Sequence, residues 1–370
     1  MLGIRSPVCA VLGHVDHGKS SILDRIRGSD IVSSEAGAIT QAIGASIIPV
    51  HVIQKLCGEM LKSMNLTFTI PGLLFIDTPG HAAFTNLRKR GGNLADIAVL
   101  VVDINEGFKP QTQEALEILK AYKTPFVVAA NKIDLLPGWK SDSTKPILTG
   151  LMSQQEYVRE KAEKKLYELV ERLYGLGFQS ERFDRVDDYT KQIAIIPTSA
   201  KTGEGISEVL ALIAGLAQKY LDKTLKCDTS GFAKGTILEI KEEKGLGKTM
   251  DVIIYDGCLK PGDTIVIGGI DEAIVTKVRG LFEPRHLDDM RDRKSKFRPV
   301  KQVVAATGVK ILAPDVDKVI AGMPVLSCER CSIDSVKERV QSEVQEVLVE
   351  TDGEGVIVKA DTLGSLEAMI

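Results

Sequence analysis

The sequence predicts an α/β domain on a mostly parallel sheet, then a small β-barrel domain, then the start of an α/β third domain. Three observations carry that prediction. Short continuous apolar runs alternate with helical patterns through residues 4–225, as in parallel sheets covered on both faces. From Gly231 the texture changes to short β runs broken by glycine, the pattern of a small barrel. A fresh strand pattern then begins at residue 355, after a helical stretch.

Taken in order, residues 8–12 form an apolar run that ends in a glycine loop, and a helix follows from Ser20. Residues 73–76 lead into Asp77, 98–102 into Asp103, 126–130 into Asn131, and 193–196 approach Ser199. Residues 30–70 contain Gly37, Thr40 and Gly44 with few early helix signals, which suits a mobile loop. Residues 137–190 read as a helical insertion. Within it, 154–173 carries an apolar stripe of Tyr157, Ala162, Leu166, Leu169, Val170 and Leu173, expected to pack on the sheet's flank. A helix over 206–221 and a linker over 222–230 close the first domain.

Barrel strands are expected at 235–240, 250–255, 263–267 and 273–278, with turn signals at Asp256-Gly257 and Pro261-Gly262-Asp263. The charged stretch 279–298 reads as a surface excursion. A helix over 332–348, a strand over 355–360 and a turn opening a helix over 362–368 follow. The expected domains are therefore 1–225, with the insertion 137–190; 226–331, the barrel; and 332–370, a connecting helix and the beginning of a truncated α/β domain. The last element has nothing to pack on, so the chain reads as a C-terminally truncated fragment.

Composition narrows the function classes. A chain of 370 residues exceeds one ordinary core, and 44% hydrophobic with 26% charged residues is normal for a soluble globular protein. The net charge of -3 provides no global basic field for nucleic acid, so RNA contacts must come from local patches. Apolar runs such as 97–102 are far below the roughly 18 residues of a membrane span. Met1 leaves no room for a signal peptide before the first strand. Cys9, Cys57, Cys227, Cys258, Cys328 and Cys331 are scattered, unlike a disulfide framework. A cytoplasmic monomer with reduced thiols and no membrane attachment is expected. Cys328 and Cys331 have metal-like spacing, but no second Cys or His pair lies nearby and tetrahedral zinc needs four ligands.

Four motifs converge on one nucleotide. Gly13-His14-Val15-Asp16-His17-Gly18-Lys19-Ser20 fits the phosphate-loop pattern. Its backbone N–H groups suit a β-phosphate at a helix N-terminus. Gly18 permits close approach, Lys19 reaches the β- and γ-phosphates, and the Ser20 hydroxyl is a Mg²⁺ ligand; Asp16, His17 and Ser21 complete the nucleotide-binding set. Asp77-Thr78-Pro79-Gly80 would hold Mg²⁺ through water on Asp77 and sense the γ-phosphate with the Gly80 N–H. Thr40 is the expected second hydroxyl ligand for Mg²⁺, closing its loop only with GTP. Asn131-Lys132-Ile133-Asp134 supplies base identity. Asp134 can accept from guanine N1–H and the 2-amino group, neither of which adenine offers, Asn131 ties neighbouring loops, and Lys132 covers the base face. Ser199-Ala200-Lys201 would add a backbone N–H to guanine O6. His81, directly after the Asp77–Gly80 turn, could orient the attacking water, with Val15 and Ile39 gating its approach. His14 and His17 shape the loop rather than catalyse, and Asp16 is a candidate ligand for a monovalent cation. The competing readings are a glycine turn with an exposed lysine, a plain surface turn at 131–134, and a helix-capping role for His81.

With Gly37-Ala38-Ile39-Thr40-Gln41 and Asp77-Thr78-Pro79-Gly80-His81, the phosphate loop resembles that of the translational GTPases. Within them the nearest group is translation initiation factor 5B of archaea and eukaryotes, related to bacterial initiation factor two. Ala38-Ile39-Thr40-Gln41 is similar to that group's first switch. Leu136-Pro137-Gly138-Trp139 is similar to the opening of its archaeal and eukaryotic insertion, and Lys201-Thr202-Gly203-Glu204-Gly205-Ile206 also fits. The resemblance implies an α/β P-loop GTPase domain followed by a small β-barrel domain and part of a third, α/β domain. It implies GTP and GDP as ligands, Mg²⁺, ribosome-stimulated hydrolysis and promotion of ribosomal subunit joining. The implied partner is the ribosome, through both subunits, rRNA and protein, with initiator tRNA touched only by a missing C-terminal part. Two alternatives stay open: another translational GTPase, such as an elongation or selenocysteine-specific factor, and a nucleotide-gated ribosome-binding module with negligible turnover.

Overall fold

The computed structural model describes residues 2–28, 44–63, 68–77, 95–221, 225–228, 231–243, 247–269, 272–284, 297–328 and 333–345. The first unit runs β1 (Leu2–Ile4), β2 (Val8–Gly13), α1 (Lys19–Arg27), β3 (Gly44–Pro49), α2 (Val50–Ser63), β4 (Gly72–Asp77) and β5 (Ile97–Asp103). It continues with α3 (Pro110–Ala121), β6 (Phe126–Asn131), a 3-10 turn (Ile133–Leu135), α4 (Ile147–Met152), α5 (Glu156–Gly175), β7 (Gln179–Arg182), β8 (Gln192–Pro197) and α6 (Ile206–Tyr220). Seven of these strands form one sheet in the order β3-β4-β2-β5-β6-β8-β7. Every pairing is parallel except β3 with β4.

The continuous apolar runs have a physical reason, because the sheet is covered on both faces. Cys9 and Val11 of β2 and Ile97, Val99 and Val101 of β5 face one core with α1, α2 and α6. Their neighbours Ala10, Leu12, Ala98, Leu100 and Val102 face a second core. There they meet Leu116 and Leu119 of α3 and Leu166, Leu169 and Leu173 of α5. Each strand of this kind buries both of its side-chain rows.

Three expectations change in detail. The insertion contributes a strand as well as helices: β7 pairs in parallel with β8 and forms the sheet's edge. On α5 the buried residue of the first turn is Val158 at 0% exposure, whereas Tyr157 is 58% exposed. The i, i+3, i+4 template admits either, and the helix's rotation selects Val158. The stretch 30–70 holds a strand and a helix from Gly44 onward, β3 and α2, while 29–43 and 64–67 lie outside the described residues.

Within the expected linker, β9 (Lys226–Asp228) pairs antiparallel with β1. The second unit contains β10 (Lys234–Glu243), β11 (Gly247–Asp256), β12 (Cys258–Leu259), β13 (Thr264–Ile267), β14 (Ile274–Lys277), β15 (Gly280–Glu283), β16 (Arg298–Val300), β17 (Val303–Val304), β18 (Thr307–Leu312) and β19 (Pro324–Cys328). Eight of them build an antiparallel sheet in the order β14-β13-β19-β10-β11-β18-β15-β16, and β12 pairs with β17. The sheet curls around one core that takes Ile237, Val252, Ile265, Leu281, Val309 and Val325. Strand β15 falls inside the stretch expected to be a surface excursion. The helix α7 (Ile333–Gln345) packs on this same unit, burying Val340 beside Leu326 and Val344 in the main core. The elements expected at 355–368 lie outside the described residues.

Leu238 lies at a register shift between Ile237 and Glu239 and, next to core-facing Ile237, points away from the β core. Leu238, Ile253 and Ala306 instead pack on Val8, Ala45, Leu74 and Ile76 of the first unit. The two units thus share an apolar seam along β2, β3 and β4.

Candidate nucleotide site

The described motif residues gather at the carboxyl ends of β2, β4, β6 and β8, where ligands sit in open α/β sheets. The loop after β2 turns on left-handed backbone: Asp16 has φ 64°, and Gly18, with φ 93°, stands at the N-cap of α1. A Cβ on Gly18 would collide with the Asn131 amide, so only glycine fits. Lys19 Nζ donates to the Gly13 and His14 carbonyls at 2.9 Å each. An ammonium has three N–H bonds, so one remains to point elsewhere. Burial lowers the Lys19 pKa, against the raising influence of Asp77 and Asp16. The Ser20 hydroxyl donates to Asp77 Oδ2 at 2.7 Å, and both residues are buried.

Asn131 joins three loops. Its Nδ2 donates to the His17 carbonyl at 2.8 Å, and its Oδ1 accepts from the Ala200 N–H at 3.0 Å. Of the 199–201 backbone N–H groups, one of which was expected at guanine O6, that of Ala200 is engaged by Asn131 and that of Ser199 by the Glu204 carbonyl. Ser199 is fully buried, and its hydroxyl accepts from the Thr202 N–H at 3.1 Å. Lys132 takes φ 64° at the head of the 3-10 turn that carries Asp134. Asp134 is half-buried, and no described residue hydrogen-bonds its carboxylate.

The family described as the elongation factor Tu GTP binding domain matches residues 5–219. The chain belongs to that family. It is 56% identical over 368 residues to the "Probable translation initiation factor IF-2" of Methanopyrus kandleri, covering 99% of this chain and 62% of the relative. It is 54% identical over 370 residues to the protein of the same name from Thermococcus sibiricus, again 62% of whose length is covered. Among solved structures, GDP-bound aIF5B from Aeropyrum pernix superposes with a TM-score of 0.86 at 51% identity, over 99% of this chain and 61% of that one. A bacterial selenocysteine-specific elongation factor superposes with a TM-score of 0.57 at 21% identity and shares the fold. The chain thus spans about six-tenths of the length of the relatives it matches.

Several residues that touch these motifs carry no motif of their own. Asp103 ends β5 opposite Asn131 in the sheet register, and its carboxylate lies 2.9 Å from Lys132 Nζ. Burial would raise the Asp103 pKa, but hydrogen bonds from Lys132 and Asn105 outweigh it and hold it below the usual carboxylate range. Gln111, in the first turn of α3, accepts the Val15 N–H at 3.0 Å and leaves the Val15 side chain 40% exposed. The one readable signal for Asp103 was its place at a strand end, equivalent to Asp77 and Asn131.

His17 is turned inward, with 1% of its side chain exposed, and meets His14 edge to face at 5.1 Å between centroids. Burial pushes its pKa down to about 4, helped by His14 and opposed by Asp103 and Glu106. The position suits a residue that shapes the loop. Thr40, Ile39, Gly80 and His81 lie outside the described residues. Among the described residues no group of three or more His, Cys, Asp or Glu side chains could hold a metal, and no helix is long and apolar enough to cross a membrane. Cys328 is buried, and Cys331 lies outside the described residues.

Proposed function

We propose that this chain binds GTP and GDP, hydrolyses GTP in a ribosome-stimulated reaction, and acts in translation initiation in the cytoplasm by promoting ribosomal subunit joining. The observation that carries the reading is the pair of hydrogen bonds made by the Asn131 side chain, which links the phosphate loop to the 199–201 loop. That arrangement sets Asp134 at a fixed distance from Lys19. Phosphates then bind at the N-terminus of α1 while the Asp134 carboxylate accepts from N1–H and the 2-amino group of guanine. The Ser20 hydroxyl and the Asp77 carboxylate are hard oxygen donors within 2.7 Å of each other, a pair suited to Mg²⁺. Bound there, Mg²⁺ would neutralise charge on the β- and γ-phosphates. Lys19 directs its remaining N–H at the same phosphates.

Thr40 as a second hydroxyl ligand, Gly80 as γ-phosphate sensor and His81 as the group that orients water rest on their sequence positions. The names of the relatives favour initiation over elongation, and the ribosome is the proposed partner. The deciding experiment is GTP hydrolysis with and without ribosomes under single-turnover conditions. Stimulation by ribosomes, lost in His81→Ala with nucleotide binding retained, is expected. Undiminished turnover in that variant would leave the water-positioning role unassigned. Absence of turnover with ribosomes would reduce the chain to a nucleotide-gated binding module.

A further inference from the structure

Glu204 follows the Ser199-Ala200-Lys201 motif and is buried, at 2% exposure. Its carboxylate accepts from three donors. Trp139 Nε1 donates at 3.4 Å to each oxygen, the Asp142 N–H donates at 3.1 Å, and the Thr202 hydroxyl donates at 2.7 Å. Its backbone carbonyl accepts the Ser199 N–H at 2.9 Å. Trp139 and Asp142 belong to the insertion after β6, and Thr202 and Ser199 belong to the loop expected at the base. One buried charge therefore joins the two.

Trp139 also packs against the apolar cluster of Ile133, Leu136, Leu151 and Ala162, whose first two members lie in and just after the turn that holds Asp134. Its indole thus meets one base-reading loop through this cluster and the other through Glu204. A second tie runs parallel: Glu208, 4% exposed, accepts the Ile147 N–H at 2.8 Å, fixing the start of α4 to the start of α6. The glycines on either side of Glu204 leave this loop little freedom. Gly205 has φ 75°, and a Cβ there would meet the Pro197 carbonyl, while one on Gly203 would meet the Arg25 guanidinium.

We propose that Trp139 and Glu204 are positioning residues for guanine recognition, and that through them the insertion holds the 131–134 turn and the 199–201 loop at the separation the base requires. This rests on the guanine reading above. The phosphate loop has no part in the strut, so the effect falls on the base and not on the phosphates. A buried carboxylate that accepts from three donors leaves all three unpaired when removed, and bonds to charged groups are the stronger kind. Loss of about tenfold to a hundredfold in guanine nucleotide affinity is expected.

The test compares Glu204→Ala, Glu204→Gln and Trp139→Phe with the unaltered protein, measuring equilibrium affinities for GDP and ADP and the rate of GDP release. Glu204→Ala should weaken GDP at least tenfold and lower the ratio of GDP to ADP affinity by a similar factor. Glu204→Gln, which still accepts from Trp139 and Asp142, should recover most of the loss. Trp139→Phe keeps the packing, loses the hydrogen bond and should release GDP several-fold faster; it decides the matter if Glu204→Ala does not fold. Affinities and release rates equal to the unaltered protein's would overturn the proposal and leave the nucleotide reading intact. So would an equal loss for GDP and ADP. No GDP binding by the unaltered protein would overturn both.

Discussion

The Lys132 ammonium lies 2.9 Å from the Asp103 carboxylate, so the residue expected to cover the base is held by the end of the neighbouring strand. The Asp103 side chain is 4% exposed and that of Lys132 29%, so water screens the pair only in part. Asn105 strengthens it, donating from its N–H to Asp103 at 2.8 Å and from its amide to the Lys132 carbonyl at 3.2 Å. Asp103→Asn keeps the shape and removes the charge. A rise of about tenfold in the GDP dissociation constant is expected, within the range for hydrogen bonds to charged groups. Isothermal titration checks it, and an unchanged constant would make the pair incidental.

The buried His17 gives a pH dependence of definite sign. Its pKa is lowered from 6.5 in the unfolded chain to about 4 in the folded one. Between those values the unfolded state binds more protons, so stability rises with pH across the window. The contribution is complete above pH 6.5 and is lost as pH falls toward 4. Denaturant unfolding of the nucleotide-free protein at pH 7 and pH 5 should show a larger loss of stability than His17→Asn does. Equal losses would mean that the imidazole is not buried as a neutral group.

On α5, Leu173 is fully buried among Leu166, Leu169 and the other residues of its core, whereas Tyr157 points outward. Leu173→Ala should lower the unfolding free energy by about 2–5 kcal/mol through the cavity it leaves. Tyr157→Ala should cost no more than about 0.5 kcal/mol. Chemical denaturation of both variants separates the buried face from the exposed one.

Strands that end in motifs were legible because each carries two buried rows, and a run such as Ala98 to Val102 then needs no alternation to be recognised. In the second unit the legible elements were β10, β11, β13, β14 and α7. Strand β18 hides a lysine: Lys310 is 1% exposed, opposite Asp251 in the register and 4.2 Å from the Phe297 ring centroid. A charge in that place reads as surface until its partners are known. Strand β9 sits in an apparent linker because its pairing partner among the described residues, β1, lies more than two hundred residues earlier in the chain. At the site, Asn131 and Lys19 were readable from spacing, and Glu204 was not. Its role depends on an insertion whose path no local pattern reveals.

Asp134→Asn should exchange guanine for xanthine, since an amide can donate to a 2-oxo group where the carboxylate only accepts. Competition between GDP and xanthosine diphosphate should reverse its preference in the variant. Retention of guanine preference would move base recognition to another residue.

The most direct measurement is competition of GTP and ATP for the unaltered protein at equilibrium with Mg²⁺. On the proposed reading Asp134 accepts two hydrogen bonds from guanine, and adenine would leave that carboxylate unpaired, so a discrimination of roughly 10⁴ or more is expected. Comparable affinities for the two nucleotides would contradict the assignment of a guanine site to this chain.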